Sequence, residues 1–136
     1  MDDVICRIVR GELAAEVVAR TTGAIAFLDH RPVFPGHVLV CPVDHVGTLP
    51  ELPTDQLGVL FGLAQRVSEA MVTGLAADGS FVAVNNTVSQ SIPHLHVHVV
   101  PRRRGDGLRG FFWPRRAYGP GEAAGYARQL REALGS

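Results

Sequence analysis

Residues 91–101 read Ser91-Ile92-Pro93-His94-Leu95-His96-Val97-His98-Val99-Val100-Pro101. Side chains of an extended strand alternate between its two faces, so His94, His96 and His98 share one face and Leu95, Val97 and Val99 the other. The pattern predicts a strand over residues 94–100, closed by Pro101. Alternate Cα atoms lie about 7 Å apart, so three imidazoles can converge on one small site. Such a row can bind a metal, since histidine is a common zinc ligand. It can support nucleophilic catalysis, with neighbouring rings tuning one another, or it can be a solvated polar face. The polar loop before it and the Arg-rich segment after it weigh against the last reading.

Working outward, residues 4–10 suit one or two helical turns with Val4, Ile5, Ile8 and Val9 on the apolar side and Gly11 as the stop. Glu16–Arg20 and Ala24–Leu28 suit short strands around a turn, and His37–Cys41 a buried strand closed by Pro42. Thr54 reads as the N-cap of a long helix in which Leu57, Leu60, Phe61, Ala64, Val67, Ala70 and Met71 recur at helical spacing. Phe81–Val84 suits a further strand and Asn85–Pro93 a polar loop. Glu122–Leu134 reads as a terminal helix with Ala123, Tyr126, Ala127, Leu130 and Leu134 spaced for packing. Short strands that do not alternate strictly with helices predict an α+β fold with a mostly antiparallel sheet.

The 136 residues fit one domain spanning 1–136, with a core at about 4–101 and an Arg- and aromatic-rich extension over 102–136. Hydrophobic residues make up 46% of the chain, which excludes intrinsic disorder. Thirteen basic residues, all arginine, balance thirteen acidic ones, which argues against a protein that coats nucleic acid or an anionic membrane. Two cysteines, Cys6 and Cys41, make no disulfide framework. With no signal peptide or apolar run of membrane-spanning length, the expectation is a cytoplasmic protein.

A neutral imidazole can attack an electrophilic phosphorus and form a phosphoramidate, while a neighbouring N–H donor holds the phosphate oxygens. The adjoining loop offers donors in Asn85, Asn86, Thr87, Ser89, Gln90 and Ser91. No GxxxxGK[ST] phosphate loop is present.

His94-Leu95-His96-Val97-His98-Val99-Val100 matches every position of His-φ-His-φ-His-φ-φ, with φ apolar. On this motif the chain closely resembles the histidine-triad (HIT) nucleotide-binding family. Ile5-Cys6-Arg7-Ile8-Val9-Arg10-Gly11-Glu12, Ala26-Phe27-Leu28-Asp29, Pro32, Pro35-Gly36-His37 and the segment from Pro42 to His45 extend the resemblance over most of residues 4–101. It implies a five-stranded antiparallel sheet with one long and one C-terminal helix, sheets being joined across a homodimer. It also implies chemistry at the α-phosphate of nucleoside phosphoramidates, nucleotidyl esters or dinucleoside polyphosphates. By position, His96 would form a covalent nucleotidyl intermediate and His98 would contact the α-phosphate. His94 and His45 would orient the nucleophilic ring, and Ser91 would assist at the leaving group or phosphate. Asp29 would accept from the ribose hydroxyls. Phe27, Ile5 and Ile8 would line the base pocket, with His30 where the family usually has an aliphatic residue. Asn85, preferred over Asn86, would reach phosphate or ribose, and Gln90 belongs to the same nucleotide-binding loop.

The implied ligand is a purine nucleotide or nucleotide conjugate. The alternatives are a non-catalytic nucleotide-binding adaptor using the same pocket and a metal-dependent hydrolase. Some bacterial members hold zinc with a Cys-x-x-Cys pair and two histidines. Here Asp3 takes the first cysteine position, leaving Asp3, Cys6, His45 and His94. That substitution weighs against zinc, and the expectation is a protein that requires no cofactor. Residues 102–116 carry six arginines against Asp106. They read equally as a solvated loop covering Phe111-Phe112-Trp113 or as a phosphate-recognition loop.

Overall fold

The computed structural model describes residues 2–108 and 114–135. The described residues up to Asp106 form one compact unit and those from Gly107 onward another. The first contains helix α1 (Val4–Val9), strands β1 (Val17–Arg20), β2 (Ala24–Leu28) and β3 (Val38–Pro42), the long helix α2 (Leu57–Leu75), and strands β4 (Gly79–Val84) and β5 (Val97–Arg102). The second contains helix α3 (Glu122–Ala133). One five-stranded sheet runs in the order β1-β2-β3-β5-β4 with every neighbouring pair antiparallel. The expected α+β architecture is therefore present. Among the described residues, no helix is long and apolar enough to cross a membrane.

Strand alternation assigns the two faces of this sheet. Ala24, Ala26, Val38, Val40, Val97 and Val99 pack with Leu60, Leu63, Ala64, Val67 and Met71 of α2. Their neighbours Ile25, Phe27, Leu39 and Cys41 turn the other way and pack with Ile5 and Ile8 of α1. His98 lies between Val97 and Val99 and so leaves the α2 face. The first histidines are placed differently from the prediction, because β5 begins at Val97 rather than at His94. The Leu95 N–H bonds the Val46 carbonyl of a loop (2.7 Å), not a neighbouring strand. Leu95 is nevertheless fully buried on the α2 side. The strand also continues through Pro101 to Arg102. Pairing with β3 covers only Val97–Val99, so Pro101 has no β3 partner to receive an N–H.

Three further expectations are corrected. Thr54 does not cap α2: residues Thr54–Gln56 form a 3₁₀ turn, and the Leu57 N–H bonds the Thr54 carbonyl. That backbone bond occupies the place a side-chain cap would take. Val4 is exposed, so α1 packs through Ile5 and Ile8. Finally, α3 buries none of its residues, and Tyr126, Leu130 and Leu134 are exposed.

Candidate functional site

The site is built on the end of β5, the loops after β2 and β3, and α1. His94 is fully buried and His96 nearly so. A carbonyl can only accept, so His96 Nδ1 donates to the His94 carbonyl (2.7 Å). In the neutral ring this places the lone pair on His96 Nε2. His94 is fixed in turn, its Nε2 donating to the Pro42 carbonyl (2.8 Å) at the end of β3.

A second chain of contacts orients His98. The Val33 N–H donates to His37 Nδ1 (3.1 Å), so the proton of neutral His37 is on Nε2. That nitrogen lies 3.0 Å from His98 Nδ1, which accepts, and His98 keeps its proton on Nε2. The His96 and His98 rings are edge-to-face with centroids 5.0 Å apart. Burial lowers the His98 pKa to about 4, assisted by the neighbouring His96 and His37 and opposed by Asp29. Burial also lowers that of His37, with Asp29 acting against it. Both rings are held toward the neutral form near pH 7, so His98 presents an N–H donor through Nε2 beside the His96 ring. Sequence reasoning gave His37 no chemical role, and the register Leu39↔His98 supplies it. Gly36 positions it with a backbone φ of +98°, where a Cβ would also approach Leu75 to 2.8 Å.

Asp29 stands just beyond β2 with its side chain 18% exposed. Its Oδ1 accepts the Arg31 N–H (2.9 Å), while Oδ2 is 3.8 Å from His37 Nδ1. His30 projects outward, with Nδ1 3.9 Å from Asp29 Oδ1. Phe27, Ile5 and Ile8 are buried together. Ser91 and Asn85 are exposed in the β4–β5 loop. Gln90 uses both ends of its carboxamide within the scaffold, donating to Gly47 O (2.7 Å) and accepting from Thr87 N (2.8 Å). The Asn86 carboxamide likewise accepts from Leu49 N (2.8 Å). Arg102 forms a two-pronged pair with Asp106 (2.7 and 3.0 Å), and Arg103 donates to the Leu75 carbonyl (2.6 Å). Arg109 and Phe111-Phe112-Trp113 lie outside the described residues.

Asp3, Cys6, His45 and His94 form a metal-compatible group whose donor atoms all lie within 4.8 Å of one another. Cys6 Sγ is 3.7 Å from His45 Nδ1 and 3.6 Å from His94 Nδ1, while Asp3 Oδ2 is 2.8 and 3.1 Å from the same nitrogens. Tetrahedral zinc would separate sulfur from nitrogen by about 3.5 Å and oxygen from nitrogen by about 3.3 Å. The donors fit such an ion with small shifts. His94 already donates through Nε2, so its Nδ1 lone pair faces the Cys6 thiol and the Asp3 carboxylate, where a cation would be accommodated. Burial acts to raise the Asp3 pKa, but the Cys6 N–H bond and His94 outweigh it and leave it lowered. Asp29, His37 and His98 form a second group of possible ligands.

The HIT domain profile matches residues 10–105. The chain is 36% identical over 110 residues to the HIT-like protein MT1300 of Mycobacterium tuberculosis, covering 79% of this chain and 76% of that one. It is 27% identical over 136 residues to the adenosine 5′-monophosphoramidase hnt1 of Schizosaccharomyces pombe, covering 98% and 99% of the two chains. Its fold is also similar to that of a zinc-bound histidine triad family protein from Mycobacterium smegmatis, with TM-score 0.74, 34% identity and 96% coverage of each chain. With the triad, its buried alternation and the profile in agreement, the chain belongs to the HIT family.

Proposed function

We propose that the protein is a nucleotide hydrolase acting at the α-phosphate of nucleoside phosphoramidates, nucleotidyl esters or dinucleoside polyphosphates. The observation that carries this reading is the bond from His96 Nδ1 to the His94 carbonyl, which leaves Nε2 as the free nucleophilic nitrogen. The similarity to a named adenosine 5′-monophosphoramidase supports the substrate class.

In the proposed reaction, the His96 Nε2 lone pair forms the N–P bond as the bond from phosphorus to the leaving group breaks. The ring gains positive charge, and its Nδ1–H bond to the His94 carbonyl strengthens in response. His98 Nε2–H donates to a phosphate oxygen, and Ser91 assists the leaving group, which takes up a proton. Water then attacks phosphorus, the N–P bond breaks, a proton is released, and the nucleoside monophosphate leaves neutral His96 behind. If another acceptor replaces water, the same intermediate supports transfer. Asp29 receives the ribose hydroxyls, and Phe27, Ile5 and Ile8 border the site for a purine base. No step requires a cofactor. An ion of the zinc class would be held by Asp3, Cys6, His45 and His94, where it would neutralise charge and fix ligand orientation.

His96→Ala is expected to lower turnover at least about 1000-fold while AMP affinity stays within a few-fold of wild type. Intact-mass measurement during turnover should show wild-type protein carrying one nucleotidyl group and the variant carrying none. Near-normal turnover by the variant would refute the mechanism.

A further inference from the structure

We propose that Asp3 is a positioning residue through which a bound zinc-class ion sets the affinity of the site for nucleotide, an inference that rests on the functional reading above. The two oxygens of its carboxylate do different things. Oδ1 accepts the Cys6 N–H (2.8 Å) and caps α1, while Oδ2 faces His45 Nδ1 and His94 Nδ1. A thiolate offers a single atom for both tasks, so the aspartate joins helix to metal site in a way that cysteine at this position cannot.

The structure gives that joint two routes to the nucleotide. The first runs through α1, a helix of only six residues. Isolated helices need about 12–15 residues even to be marginal in water, so the placement of α1 depends on what holds it to the sheet. Ile5 and Ile8 hold one side through Phe27 and Leu39, and Asp3 holds the end. These apolar side chains border the proposed base site. The second route runs through His94, whose ring meets Asp3 and whose carbonyl accepts the His96 proton. One ion would therefore tie α1, the loop after β3 and the segment leading into β5 together, adjoining Ile5 and Ile8 at the proposed base site through α1 and His96 through the His94 carbonyl. Metal-free protein keeps the fold of the sheet but holds α1 and the His94 ring less firmly.

The test uses the full-length, untagged chain stripped with a chelator, with Co²⁺, Zn²⁺ and AMP as probes. Cobalt titration of wild type should give ligand-field bands together with a thiolate-to-cobalt band from Cys6. Calorimetry should show AMP binding about tenfold more tightly to zinc-loaded than to metal-free protein, the size of effect expected when a group orienting a site is fixed. Asp3→Asn should lose at least about tenfold in cobalt affinity and show no AMP response to zinc. Asp3→Cys should bind cobalt but recover only part of the AMP gain, because it ligates without capping α1 as a carboxylate does. If Asp3→Asn does not fold, Cys6→Ala carries the test. It keeps the cap, which uses only the Cys6 backbone N–H, and should show weakened cobalt binding with no AMP gain at zinc levels that saturate wild type. Absence of cobalt bands in wild type, equal AMP affinity with and without zinc, or a full AMP gain in Asp3→Asn, Asp3→Cys or Cys6→Ala would each overturn the proposal. Failure of AMP to bind either form would overturn it along with the functional reading. That case is recognised because the cobalt titration reports on the metal centre alone.

Discussion

His98 takes its protonation state from its surroundings. It sits in β5 against His37 and His96, with burial as the main force holding its pKa near 4. A histidine held below the free value of 6.5 binds fewer protons folded than unfolded. Folding stability should therefore rise with pH between about 4 and 6.5, and be lost as pH falls through that window. Urea midpoints at pH 4.5 and 7 should show a smaller pH-dependent drop for His98→Gln than for wild type. An equal drop in both proteins would remove His98 as a cause. The triad itself was legible because alternation is a local property that survives even where Leu95 pairs with a loop. His37 was not legible in the same way: its partner is 61 residues away, and only the β3–β5 register brings the rings together. Gln90 and Asn86 show the converse limit. Their residue type suggests donors to phosphate, yet backbone groups of Gly47, Thr87 and Leu49 occupy their carboxamides.

Helix α2 was readable from its apolar repeat, but its ends were set by backbone geometry that the repeat does not encode. At the start, a 3₁₀ turn replaces the expected Thr54 cap. At the other end, Ala76 takes the left-handed conformation (φ 57°, ψ 30°) and its N–H bonds the Met71 carbonyl. Glycine is the residue this position favours, because a Cβ there costs about 1–2 kcal/mol. Part of that gain is offset by the greater freedom of glycine in the unfolded chain, about 0.4–1 kcal/mol. Ala76→Gly should thus stabilise the protein by roughly 0.5–1 kcal/mol, read as a higher urea midpoint with turnover unchanged; a lower midpoint would contradict the argument. The β4–β5 loop carries similar strain at Thr87 (φ 70°) and Ser89 (φ 62°), beside the candidate Ser91. There the strained backbone lies within the loop that leads to the triad, where such conformations commonly accompany function.

At the scale of the molecule, the balanced charge conceals a local excess over residues 102–116, yet Arg102 is paired with Asp106 and Arg103 bonds the end of α2. The sheet raises a different question, because among the described residues its two end strands are unequal. β1 has only four residues and an irregular register between Val17 and Ala19, features that blunt an edge against pairing. β4 is regular over Gly79–Val84, carries no charged side chain, and leaves Val82 46% exposed between Ser80, which bonds Ser68 of α2, and Val84, which packs on the core. Among the described residues β4 ends the sheet as a regular, uncharged strand with Val82 exposed, which suits pairing with a second copy, and two copies meeting at β4 would extend the sheet across a two-fold axis. The homodimer implied by the family resemblance is therefore proposed to form at β4. Light scattering at micromolar concentration should give twice the 14.6 kDa chain mass for wild type. Val82→Lys places a charge at the centre of that edge and should shift the protein to a single-chain mass while leaving its circular dichroism native. A wild-type monomer, or a Val82→Lys protein that remains dimeric, would move the contact away from β4.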